Sequence, residues 1–482
     1  MARKTLLFWI LLAVTFGLAC WQGYWRHDAW IYTDSELHEI GDGKWLAQPF
    51  HQLLRGLPPE LSLVACLGVL ALFLWRELQR IGGVAQLPAV VALILPLSLF
   101  SPSVLSQLQW PTHALAASVP LLLSLLWRDR LGLSARVGRA VVVCFGSLSI
   151  LSSFAFLAPL CLLPTGVAAG QRPSGPGARR DALVLVVATP ALLLGSYALV
   201  SLIKRLYFAL GVPTAPGRLE SVSTTNYLGL WLNVANTLQL FWLRQWGHLG
   251  VVIPVVLLVL VGWALRSRSW SSLQLAFVAL WILLLPILSV VGSGTSWQRV
   301  ALAWCVLPPL LALACSELQP ALLRQAGLAA LVAASASSTL IGFRNAAASA
   351  VATRHIASSI EQQLSRAGWQ PGVPQQPLWI VEAEQIDALS PRFIWGGWPA
   401  FAISNPENVR FHRVFNELNL RHYVIRHRDF FFHPDGPTRL ALQKALPPAT
   451  AKPDAILEQY NRLSGSHLQR TATLRLPAAP HN

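Results

Sequence analysis

Charge is what this sequence has least of. Charged residues make up 12% of its 482 positions, hydrophobic residues 54%, and the mean hydropathy is +0.50. Soluble domains carry roughly 25% charged residues, so a water-facing surface for a chain of this size is excluded. Paired cysteine motifs are missing as well. Cys20, Cys66, Cys144, Cys161, Cys305 and Cys315 all lie within or beside apolar stretches and none forms a CxxC pair, which predicts neither a disulfide framework nor a zinc site. There is no GxSxG elbow, Walker loop or HExxH, and no internal repeat of the kind that builds many transporters. His412, His422, His427 and His433, with Asp429 and Asp435, fit no metal-ligand spacing and read as surface histidines.

Long apolar blocks are what is present. They are about 15 to 22 residues long, the length a helix needs to cross roughly 30 Å of hydrocarbon. Most are Leu/Val/Ala runs without alternation, which argues for helices rather than barrel strands. Spans are expected at 5–20, 61–75, 84–100, 113–127, 140–151, 154–169, 182–203, 249–265, 271–291, 300–315 and 326–343. The fold class predicted is thus an α-helical polytopic membrane protein of about eleven spans. Within 140–169 the polar junction at Leu151-Ser152-Ser153 suggests two half-helices. No mid-span carboxylate or lysine is apparent, which weighs against an ion-coupled transporter.

The net charge of +16 is spread in small clusters between the blocks rather than along one basic face, so nucleic-acid binding is not expected. Sorting the bases by alternate segments gives fourteen on one side, Arg76, Arg80, Arg136 and Arg139 among them, and eight on the other. By the positive-inside rule the N-terminus is then cytoplasmic and, after eleven crossings, the C-terminus external.

Residues 1–343 form the expected membrane domain, with external loops at 21–60 and 204–248. The first loop carries Asp28, Asp34, Glu36, Glu39, Asp42 and Glu60; the second carries Lys204, Arg205, Arg218 and Arg244 among Trp231, Trp242 and Trp246. From about 344 the composition turns polar. A helix over 344–368, strands near 377–382 and 422–425, and a Pro/Ala-rich end over 447–482 predict a small external α/β module with a disordered terminus.

Three features offer chemistry. Asp34-Ser35-Glu36 stands just past the first span, where a carboxylate partly shielded from water can act as a general base on a sugar or lipid hydroxyl. A loop of solvated acids is the plain alternative. Arg299 ends Gly292-Ser293-Gly294-Thr295-Ser296-Trp297-Gln298 and precedes a helix, a combination suited to a phosphate; its alternative is an arginine snorkelling to headgroups. Lys204 and Arg205 follow an apolar span on the side where bases are scarce, and read either as headgroup anchors or as help in binding a lipid-linked anion.

Tyr32-Thr33-Asp34-Ser35-Glu36, then Gly43-Lys44-Trp45 before a half-buried stretch over 46–56, then Arg299 opening a late helix, resemble the membrane-embedded GT-C glycosyltransferases. The pattern is most similar to the bacterial O-antigen glucosyltransferase group. The motifs cover about 60 residues, the run of spans the rest. The resemblance implies a bacterial inner (cytoplasmic) membrane protein that takes a sugar from a polyprenyl-phosphate donor and passes it to a glycan or lipid acceptor of the cell envelope. No nucleotide is implied at the external site, and a divalent metal stays open. Asp34 would be the base, Glu36 would position it or help hold a metal, and Arg299 with Lys204 or Arg205 would bind the donor phosphate. Ser35 stands between the acids where the group often has two adjacent ones. Other classes remain: an O-antigen polymerase or ligase, a transporter of lipid or polysaccharide without covalent chemistry, and a structural or assembly protein.

Overall fold

The computed structural model describes residues 45–54, 57, 59–108, 111–127, 132–167, 176–210, 242–243, 245–293, 301–366, 378–381, 462 and 470–474. The described residues divide into two compact units, one through Arg344 and one from Asn345 on.

The first unit is helical. In chain order its elements are α1 (Ala47–Leu54), α2 (Pro59–Gly82), α3 (Ala89–Leu99), α4 (Pro102–Leu108), α5 (Pro111–Leu125) and α6 (Leu133–Leu148). A half-helix I follows, then α7 (Pro176–Ala209), a 3-10 turn (Gly247–Val251) leading into α8 (Val252–Arg266), α9 (Trp270–Ser293) and a half-helix II; α10 (Ala321–Arg366) carries the chain onward. Five windows are long and apolar enough to cross a membrane: Leu61–Gly82, Arg180–Tyr207, Gly247–Arg266, Trp270–Ile287 and Ala321–Arg344. Five, rather than the expected eleven, meet that standard among the described residues, and the first expected span, 5–20, lies outside them. Large side chains such as Leu194 (68% exposed) and Leu258 (70% exposed) point outward from these helices. An apolar exterior of this extent is the surface of a membrane protein.

Half-helix I is Ser152–Leu162 and half-helix II is Ala301–Cys315. Each opens with six residues of 3-10 helix and continues as α-helix, for five and nine residues respectively. At about 2.0 and 1.5 Å per residue they are roughly 20 and 26 Å long, too short to cross alone. Every residue of half-helix II is buried. That follows from hydrocarbon's lack of hydrogen-bond partners: irregular backbone survives at membrane depth only inside protein.

The sequence break at Leu151-Ser152-Ser153 therefore marks a real helix interruption, but 140–169 is a hairpin of α6 and an interior half-helix. The span expected at 61–75 is also longer. α2 continues past Trp75 because Leu74, Leu78 and Ile81 keep one face fully buried. It ends at Gly83, φ 61°, where Gly83 N–H bonds the Arg80 carbonyl at 3.1 Å and Val84 N–H the Gln79 carbonyl at 3.1 Å, a glycine-terminated Schellman cap.

In the second unit the described residues form the end of α10 and a parallel pair, β1 (Leu378–Val381) with β2 (Arg470–Leu474). β1 falls where a strand was expected. β2 lies within 447–482, which had been expected to end without structure. The strand expected at 422–425 lies outside the described residues.

Candidate functional site

Two clusters of buried polar groups organise the first unit, one at each end of half-helix I. The first is ionic. Glu77 on α2 is fully buried and takes both Nε and Nη2 of Arg80, at 3.0 and 2.6 Å. Its other oxygen pairs with Arg139 on α6. Arg80 also donates to the carbonyls of Leu163 (2.5 Å) and Leu160 (2.9 Å), and Arg136 donates to that of Leu162 (2.9 Å) while pairing with Asp181 on α7 at 3.0 Å. Among the described residues the cluster holds three arginines and two carboxylates, one positive charge in excess. The C-terminal end of half-helix I, equivalent to roughly half a negative charge, faces it through those three carbonyls.

This corrects two expectations. Arg80, Arg136 and Arg139 had been counted as bases of solvent-facing segments; they are buried and held by carboxylates and backbone. The span expected to end at 75 also runs on past Glu77, which sits near the end of the apolar window Leu61–Gly82. The sequence signal was available: acid and base three positions apart on a helix whose apolar period had not ended.

At the other end lies a neutral cluster, roughly 18 Å away along half-helix I. Ser153 donates to Gln107 Oε1 at 2.7 Å, tying the start of half-helix I to α4. Gln245 accepts from Ser103 N–H at 3.0 Å and donates to Ser103 Oγ at 2.9 Å, so its amide caps the first turn of α4. Ser101 and Ser103 hydroxyls are 3.0 Å apart. Next to Gln245, Trp246 stacks on Trp304 of half-helix II (5.6 Å between centroids, 22°), with Trp242 edge-on to Trp304 at 5.4 Å. Trp304 Nε1 donates to the Leu283 carbonyl at 3.3 Å. The opening 3-10 turns of both half-helices pack against one another, and that of half-helix II also packs against α4. Their N-terminal ends, the positive ends of the backbone dipoles, are thereby gathered at one level of the bundle.

Lys204 and Arg205 occupy the last turns of α7, half-buried and exposed respectively. Lys204 follows Asp181 by 23 positions, or about 35 Å along the helix axis. The two bases are thus at the far end of α7 from the Arg136–Asp181 pair. Asp34, Glu36 and Arg299 lie outside the described residues. Arg299 precedes half-helix II by two positions in the chain. Among the described residues no group of three or more His, Cys, Asp or Glu is arranged to hold a metal ion. Gln107, Ser103 and Gln245 escaped the sequence reading because isolated neutral side chains carry no spacing signal; Ser153 was read only as part of a helix break.

No protein-family model matches the chain, and no curated protein matches it. Among solved structures, the chain is similar to the oligosaccharyltransferase of Archaeoglobus fulgidus, crystallised with zinc and sulfate. The TM-score is 0.32 at 12% identity, over 77% of this chain and 60% of that one; the match thus spans less than two thirds of the archaeal protein.

Proposed function

We propose that this chain is a membrane glycosyltransferase of the GT-C type. It moves a sugar from a polyprenyl-phosphate donor to a glycan or lipid acceptor of the cell envelope, on the external face of a bacterial inner membrane. In this reading Asp34 removes the proton from the acceptor hydroxyl as its oxygen bonds to the anomeric carbon. The bond from that carbon to the phosphate oxygen breaks, and polyprenyl phosphate leaves with the electron pair. Cationic contacts from Arg299, with Lys204 or Arg205, stabilise the charge that develops on the leaving phosphate. Glu36 positions Asp34 or would help to hold a divalent metal. The cytoplasmic N-terminus and the external α/β module belong to the same proposal.

What supports it is the position of Arg299 in the sequence, two residues before a fully buried half-helix, a helix start of the kind that suits an anion, together with the acid-rich stretch that follows the first expected span. The test uses Asp34→Asn in the full chain, checked for normal membrane insertion and assayed for sugar transfer from polyprenyl-phosphate donors. Transfer should be lost, and Arg299→Ala should weaken donor use. Full activity of Asp34→Asn removes Asp34 as the base.

One observation favours a second reading, a transporter without covalent chemistry. Glu77, Arg80 and Arg139 are ionisable groups within membrane helices, where such residues often mark a transport path. Their mutual pairing and their grip on backbone carbonyls give them a structural duty that the first reading accommodates. Loss of substrate movement in Glu77→Gln, with no transfer activity in the parent chain, would favour the transporter.

A further inference from the structure

We propose that Arg80 and Arg136 are a latch that sets the depth of half-helix I within the bundle. Half-helix I is an interior segment, and a helix end leaves its last carbonyls short of intrahelical partners; that of Leu160 accepts only the capping N–H of Leu163, at 3.3 Å, from the backbone. Three guanidinium contacts serve this end: Arg80 to the carbonyls of Leu160 and Leu163, and Arg136 to that of Leu162. The chain just beyond is fastened too, since Gly166 N–H donates to the backbone carbonyl of Arg80 at 2.8 Å. Arg80 therefore holds the segment by both its side chain and its main chain.

The two guanidiniums are themselves held within a network that spans α2, α5, α6 and α7. Glu77 shares α2 with Arg80 and draws in Arg139 of α6, whose Nε donates to the Ser124 carbonyl of α5 at 2.9 Å, while Asp181 of α7 holds Arg136. Moving either arginine would give up an ion pair at little-exposed groups, Arg80 with Glu77 and Arg136 with Asp181, which is costly. The fork geometry matters: one guanidinium serves a carboxylate and two carbonyls at once, which a lysine ammonium cannot match in plane. At its other end half-helix I meets Gln107 through Ser153. A segment pinned at its C-terminal end and tied at its N-terminal end has one depth, so the latch fixes where the opening turns of the two half-helices meet.

The buried thiol of Cys161 lies between the latched carbonyls and reports on the latch directly. The full chain is prepared in membranes with Cys161 as its single cysteine, and separately with Cys305 of half-helix II as its single cysteine. Labelling by N-ethylmaleimide is followed by mass spectrometry. Both thiols should be protected in the parent chain. Arg80→Ala should raise Cys161 labelling by roughly tenfold or more through local opening, Arg80→Lys should fall between, and Cys305 should stay protected in both. Arg136→Gln, which spares the Glu77–Arg80–Arg139 contacts, should expose Cys161 to a smaller extent and is the variant read if Arg80→Ala does not accumulate. Protection of Cys161 in every variant overturns the latch. So does joint exposure of Cys161 and Cys305, because the arginines would then support the whole bundle and not one segment.

Discussion

Gly342→Ala measures how closely α10 rides on the end of α3. A Cβ built at Gly342 falls inside contact distance of the Phe100 carbonyl oxygen, with Leu105 Cδ1 at 3.2 Å and the Phe100 carbonyl carbon at 3.4 Å. Tolerated carbon–oxygen contacts between helices run about 3.3–3.6 Å, so α10 must withdraw by something on the order of 1 Å. The oxygen cannot turn aside, because Phe100 closes the last turn of α3. Withdrawal strains the bond from Thr339 Oγ1 to the Leu97 carbonyl, now 2.7 Å, and the packing of Phe100 on Phe343 at 6.4 Å between centroids. Overpacking of this kind costs about 1–3 kcal/mol, and the weakened hydrogen bond adds up to about 1 kcal/mol. Alanine's better helix propensity returns at most about 1 kcal/mol. The expected net loss is about 1–3 kcal/mol, which lowers the midpoint of thermal unfolding by roughly 2–8 °C. The measurement is a thermal scan of the purified full chain in detergent, read by size-exclusion chromatography. Gly195→Ala and Gly262→Ala are the controls, since a Cβ at either meets nothing within 4 Å, and both should hold the parent midpoint or exceed it. A Gly342→Ala protein as stable as these controls refutes the close approach.

Two further outcomes follow from the buried and half-buried carboxylates. Glu77→Leu should destabilise by about 3–5 kcal/mol, because it leaves two guanidiniums without their carboxylate. Glu77→Leu combined with Arg139→Leu should cost less than the sum of the single changes, a double-mutant cycle in the same thermal assay; strict additivity would show that the pair does not act jointly. Glu317, in the turn between half-helix II and α10, has its carboxyl raised by loss of solvation. A raised folded pKa means that stability is greater when the group is protonated and is lost as pH rises through that pKa. Glu317→Gln should therefore raise the unfolding midpoint at neutral pH and give no gain below the ordinary carboxylate pKa of about 4.3.

The apolar blocks were legible because membrane helices leave long unbroken runs. Their ends were less so. The run was read as stopping at 75, yet α2 continues to Gly82 with Leu78 and Ile81 extending its buried face and Glu77 paired with Arg80 inside it. The break at Ser152 could be read from its serines; that the segment after it is interior could not, since burial among other helices and burial in lipid call for the same apolar residues. The neutral cluster was illegible for a different reason. Ser153 meets Gln107 and Gln245 meets Ser103 across 46 and 142 positions of chain, and single glutamines have no periodicity to betray them. Asp34, Glu36 and Arg299 have the opposite character: their pattern in the sequence is distinctive, and they lie outside the described residues.

The ion cluster also bears on the order in which the chain enters the membrane. α2 brings its own counter-charge, Glu77 with Arg80 one turn on, and can be inserted as a neutral pair. α6 cannot: it carries Arg136 and Arg139 and no acid of its own. Arg139 emerges 62 residues after Glu77, about 3–12 s later at ordinary synthesis rates, and finds that carboxylate already waiting. Arg136 must wait for Asp181, 45 residues further along. The nascent chain thus meets each cost of burying a charge in sequence, and α6 enters the membrane as a helix recruited by its predecessor and completed by its successor.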